Sequence, residues 1–186
     1  MAKKYSSRND EGQHRILKDD PQAIALLKEE HHRFRELFDA AEDKEGKALK
    51  PIADELCLRL GVHMTIEEEL LYPVGKEVGD AEEVDEGIVE HWAGKELVGE
   101  IEQLDGTEEL YKSKVHVLGE QTIHHIDEED EELFEEMKEA HKAGKIDLDA
   151  LGEKMRARQA ELYRNVEASG DLGRTREANA EEIQSV

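Results

Sequence analysis

One cysteine, Cys57, excludes an internal disulfide, and only three prolines leave long helices uninterrupted. Aromatics are equally sparse, three Phe, one Trp and four Tyr, and no stretch alternates apolar and polar residues as a half-buried strand does. The start, MAKKYSSRND, has no apolar run that could serve as a signal peptide or span a bilayer. Soluble, reducing, cytoplasmic surroundings are therefore expected. Basic residues are also short: 25 Lys and Arg stand against 48 Asp and Glu, a formal charge of −23. Such a surface repels nucleic acid and anionic membrane, and metal cations are its natural partners.

The chain divides by its punctuation. Residues 1–20 read as a disordered polar tail, with Asp20 the N-cap and Pro21 the first position of a first helix running to about residue 43. A second helix is expected over about 48–75, a third over 82–104, and a fourth over 108–142 with Thr107 as its cap; Gly144 ends it. An accessory helix follows within 144–168, capped by Asp147, and residues 169–186 read as a second disordered tail. The fold expected is all-α, an antiparallel up-down-up-down four-helix bundle over 21–143 with an additional C-terminal helix.

What is present is a set of polar residues where the core should be. In HMTIEEELLYP, steps of three and four through Leu56, Leu60, His63, Glu67 and Leu70 follow the apolar stripe, so His63 and Glu67 face inward. The first helix places His31 on its stripe between Leu27 and Phe34 and turns His32 outward; the third places His91 between Ile88 and Val98. The fourth carries His125 and Glu129 between Leu118 and Leu133, although a one-residue change of register would exchange His124 for His125. HMTIEEELLY and HIDEEDEELF also echo each other, a His, a Glu four later and an aromatic nine later.

Residues i and i+4 lie roughly 6 Å apart at their β-carbons and can converge on one ion or two adjacent ions. At about 1.5 Å per residue the six groups fall in a slab roughly 12 Å thick, so they can meet. Imidazole suits iron, copper and zinc, and carboxylates that bridge two metals complete a mixed set typical of non-haem iron. A lone seam histidine is more often a hydrogen-bonded core residue. Four at one depth with two carboxylates would cost several kcal/mol to bury without a cation. Trp92, Phe34 and Phe38 read as core or pocket wall, Cys57 as an inert semi-buried thiol, and His14, His116 and His141 as tail or exposed residues. Tyr72, Tyr111 and Tyr163 read as packing residues, with a phenolate ligand as the alternative.

The order H, HxxxE, H, HxxxE at His31, His63 with Glu67, His91, and His125 with Glu129 resembles the hemerythrin-like cation-binding domains, bacterial type, over about 22–142. EEHHRFRELF, VHMTIEEELLYP, VEHWAGKEL and VLGEQTIHHIDEEDEELF look like their four helix motifs. The resemblance implies two non-haem irons (Fe2+/Fe3+), compatible with an oxo or hydroxo bridge, with Glu67 and Glu129 bridging and the four histidines terminal. It implies a small oxidant (O2, peroxide or NO) as ligand. Two departures stand out: Lys95 occupies the place where the invertebrate oxygen carriers have a second histidine on the third helix, and Glu135 replaces a proline that often follows the fourth-helix aromatic. Both weigh against reversible oxygen storage. An iron- or oxygen-sensing or iron-storing module, and a metal-free helical interaction protein, are the alternative readings.

Overall fold

The computed structural model describes residues 4–169. Among the described residues seven α-helices make up the fold: α1 Gln22–Glu42, α2 Gly46–Ile66, α3 Tyr72–Val78, α4 Ala81–Glu102, α5 Tyr111–Glu128, α6 Phe134–Lys142 and α7 Leu148–Ser169. There is no strand among the described residues, and no helix is long and apolar enough to cross a membrane. α2 and α3 are one rod interrupted by a π turn at Glu67–Leu71, and α5 and α6 are another interrupted at Glu129–Leu133. With α1 and α4 these rods form the expected four-helix bundle, and α7 packs along α1 and α2.

The core is split in two. One apolar cluster contains Phe34, Phe38, Leu56, Leu60, Val98, Val115 and Leu118; the other contains Ile24, Leu27, Ile66, Tyr72, Val84, Leu133 and Phe134. On every rod the inward-facing histidine lies between residues of the two clusters. The polar slab is thus closed above and below by apolar side chains, which keeps bulk water from competing for its charges.

Two caps differ from expectation. Asp20 does not cap α1: its carboxylate accepts from Leu17 N–H at 2.8 Å, and Asp149 at the start of α7 accepts from Gln22 N–H at 2.9 Å. Thr107 donates to Asp105 instead of starting α5, which begins at Tyr111. Asp147 does cap α7, accepting from Asp149 and Ala150 N–H. The approach of α7 to α1 depends on Gly152, where an added Cβ would stand 2.5 Å from Ala23 N and 2.6 Å from Gln22 C. Those are backbone atoms that cannot swing aside. Gly152→Ala is expected to destabilise the fold by about 1–3 kcal/mol, the usual cost of overpacking, read as a lower urea midpoint. An unchanged midpoint would mean that α7 adjusts freely against α1.

The disordered tail expected over residues 1–20 is overturned for residues 4–20. Ser6–Asp10 and Gly12–His14 form short 3-10 turns, and Tyr5, Asn9 and His14 are buried. Asp39 accepts from the backbone N–H of Lys4, Tyr5 and Ser6, and Tyr5 donates to Glu120. Bonds to a charged carboxylate are among the stronger ones, and they offset the entropy of ordering a polar segment. Residues 170–186 of the second expected tail lie outside the described residues.

Candidate metal centre

All six singled-out residues point inward and meet: His31, His63, Glu67, His91, His125 and Glu129 are each at most 7 % exposed. His124 is turned to solvent beside Glu128, and half-buried His32 donates to the His14 carbonyl at 2.8 Å. The register on α5 therefore places His125 inside.

Two groups of potential ligand atoms lie side by side, one from His31, His63, Glu67 and Glu129, the other from Glu67, His91 and His125. Glu67 belongs to both. Its Oε1 is 3.3 Å from His63 Nε2 and its Oε2 is 3.5 Å from His91 Nε2. Glu129 spans the same gap, with Oε2 3.5 Å from His31 Nε2 and 3.6 Å from His125 Nε2. The π turns start at these two glutamates. In each, the N–H of the aromatic five residues on, Tyr72 or Phe134, donates to the glutamate carbonyl. In a regular α-helix residues i and i+5 are about 140° apart; the wider turn brings glutamate and aromatic to one face. Phe134 stacks on His31 at 5.5 Å, while Tyr72 reaches toward His91 and His125.

Behind the histidines stands a ring of carboxylates. His31 Nδ1 lies 2.9 Å from Asp130, His91 Nδ1 3.0 Å from Glu68, and His125 Nδ1 2.8 Å from Glu90. Glu30 faces His63 Nδ1 at 3.4 Å, out of hydrogen-bond alignment. A carboxylate on Nδ1 fixes the proton there and leaves the Nε2 lone pair aimed inward, the arrangement metal-bound histidines adopt. Arg35, fully buried, donates to Asp130 at 2.9 Å and Asp127 at 2.8 Å, and His14 Nδ1 is 2.9 Å from Asp130. Lys95 holds Glu68 through both carboxylate oxygens, at 2.7 and 2.5 Å.

Inside the ring the donors run out. His31 Nε2, His63 Nε2, both Glu67 oxygens and Glu129 Oε2 are buried without a hydrogen-bond partner. Convergent ligand-type atoms left without partners are what a cation satisfies, so the residues fit a metal. The charges say the same. Burial, with Glu129 and Glu30 nearby, pushes the Glu67 carboxyl well above its usual range. Burial also pushes His91 well below the ordinary imidazole value, and the neighbouring His125 and His63 add to it. For His31 burial is outweighed by Asp130 and Glu129, which hold it up at about 8.

Asp130, Glu30, Glu68 and Glu90 had no signal of their own in the sequence. They sit in acidic runs that read as solvated faces, and only their spacing from the histidines of other helices singles them out. Two other readings are corrected. Trp92 is 45 % exposed because it follows His91 on α4, about 100° off the inward stripe. Cys57 is fully buried, within the first apolar cluster.

A family model, the hemerythrin HHE cation-binding domain, matches residues 22–137, more than half of the chain. The chain belongs to this family. No curated protein and no solved structure matches it. As a hemerythrin-type domain it binds metal cations, and the matched stretch runs from the start of α1 into α6, enclosing all six residues of the slab. Two cavities reach that slab from outside. One, about 150 Å³, lies between apolar residues of α2, α4 and α5 and touches His63, His91 and His125; the other, about 260 Å³, is walled by carboxylates including Glu83, Glu86 and Glu132 and ends on His125 and Glu129.

Proposed function

We propose that the chain is a non-haem di-iron protein whose buried centre binds or reacts with a small oxidant, O2, peroxide or NO. The observation that carries this is the Glu67 carboxylate, whose two oxygens face histidines of separate groups, as a carboxylate shared by two ions would. His31, His63, His91 and His125 would serve as terminal ligands, and Glu67 and Glu129 would be shared between the ions. Iron held there supplies an open coordination position and one-electron redox steps. The protein does the rest. Leu60, Met64, Leu118 and Ile126 line the smaller cavity and favour entry of a small, weakly polar molecule over water. Asp130, Glu68 and Glu90 keep the imidazoles oriented and their Nδ1 protons in place. The single buried cysteine and the acidic surface support a reducing, cytoplasmic setting and argue against nucleic acid or membrane as partner.

Elemental analysis of protein from iron-supplemented cells is expected to give about two irons per chain, because six ligands with two shared carboxylates complete two ions and crowd one. The anaerobic spectrum should change on admission of air. One zinc per chain, reproducibly, would sink the di-iron reading. An iron- or oxygen-sensing module is the second reading. It is favoured by Arg158 of α7, which grips Glu69 within the first π turn at 2.7 and 2.8 Å and so ties the accessory helix to the segment that starts at Glu67.

A further inference from the structure

The two halves of the centre are not equally furnished. His31 and His63 share theirs with both Glu67 and Glu129, whereas Glu67, His91 and His125 form a group of three. Into the second half reaches the Tyr72 hydroxyl, 3.0 Å from Glu129 Oε1, 3.1 Å from His91 Nε2 and 3.3 Å from His125 Nε2. The two imidazole nitrogens are themselves 3.0 Å apart. With His91 Nδ1 and His125 Nδ1 facing Glu68 and Glu90, the phenol donates to Glu129 and stands within reach of both inward imidazole nitrogens.

We propose that Tyr72 is a metal ligand, a phenolate completing the His91–His125 half of the centre. The proposal rests on the di-iron reading above and adds a seventh protein ligand to it. Three features of this chain place the oxygen there. The π turn swings Tyr72 onto the face of Glu67. Gly87 on α4 leaves it room, since a Cβ would stand 3.2 Å from the hydroxyl and 3.4 Å from His125 Cε1. Lys95, one turn beyond His91, is drawn aside to Glu68, so α4 sends only one ligand-type side chain into this half. The echo of the two motifs ends in an aromatic in both rods, but only this one carries an oxygen; its counterpart Phe134 stacks on His31 as plain hydrocarbon. Coordination forms a metal–oxygen bond and releases the phenol proton to solvent, with no change of oxidation state.

The test loads the full chain with ferrous iron, oxidises it in air, and compares wild type with Tyr72→Phe by iron content, visible absorption and resonance Raman. The expected result is a visible phenolate-to-iron charge-transfer band with enhanced tyrosine ring modes in wild type. Tyr72→Phe should lose the band and the modes while retaining more than half of the iron; Tyr111→Phe, altered in the apolar cluster away from the site, should keep both. A wild-type protein with two irons and no such band, or a band that survives in Tyr72→Phe, overturns the tyrosine ligand and leaves the di-iron reading standing. Wild-type protein that takes up no iron overturns both.

Discussion

His31→Ala is expected to remove most of the iron, at least one of two ions per chain, whereas His32→Ala, its immediate neighbour, keeps nearly all. His31 is fully buried, with Nε2 facing Glu129 and Nδ1 held by Asp130. His32 is rotated about 100° away and serves the N-terminal segment through the His14 carbonyl. The same contrast holds on α5: His125→Ala loses iron and His124→Ala, in solvent beside Glu128, does not. Loss of a metal ligand commonly costs far more than loss of a surface contact, because the remaining lone pairs stay buried without a partner. Iron content and near-ultraviolet absorption of the four variants, prepared in parallel with circular dichroism as a folding check, decide the matter. Equal loss from His31→Ala and His32→Ala would show that the buried face of α1 does not hold the metal.

The second large effect is a pH dependence that reverses with metal. In the metal-free protein His31 is raised from 6.5 to about 8, so its stabilising charge is fully present below pH 6.5 and lost as pH rises through about 8. That amounts to something on the order of 2 kcal/mol. His125 is raised as well: burial opposes the charge, and Glu129 and Glu90 outweigh it. His63 and His91 are lowered, chiefly by burial, and stay neutral in the fold while the unfolded chain protonates them, which costs stability below pH 6.5. The metal-free protein should therefore lose stability from pH 6.5 upward and melt lower at pH 8. Metal needs unprotonated imidazoles, so its contribution grows over the same interval. At a metal concentration a hundred times Kd it adds about 2.7 kcal/mol, several degrees in Tm for a chain of this size. The gap between loaded and stripped protein is expected to widen from pH 6 to pH 8, and acid should release the iron. Melting curves that coincide at every pH would place the metal outside the bundle.

The inward histidines were legible because burial on a helix follows a rule of three and four: His31 sits between Leu27 and Phe34 whatever the tertiary details. Fold class followed from the same periodicity and from the rarity of proline. What escaped has three causes. Glu68, Glu90 and Asp130 matter through partners on other helices, and no local pattern separates them from acidic neighbours that only face water. Tyr5, Asn9 and His14 lie in a segment too polar to read as structured, and their burial depends on Asp39, Asp130 and the His32 carbonyl, all distant in sequence. The π turns were missed because a 3.6-residue period assumes that every turn has the same width.

Each π turn gives its rod one residue more than an uninterrupted helix would need to cover the same distance. Loss of a single codon between positions 67 and 71 would leave both motifs readable and the rod close to its length. It would also turn the segment into regular α-helix with Tyr72 four residues after Glu67, about 40° from it around the axis, so the phenol, and Gly75 beside Val84 and Leu133, would keep their faces. Among relatives, then, a one-residue gap just after the HxxxE glutamate is the loss of the π turn and no loop polymorphism. It leaves unchanged which side chains the lower half of the helix presents to the ions, whereas a turn straightened at full length would rotate them by about 100°.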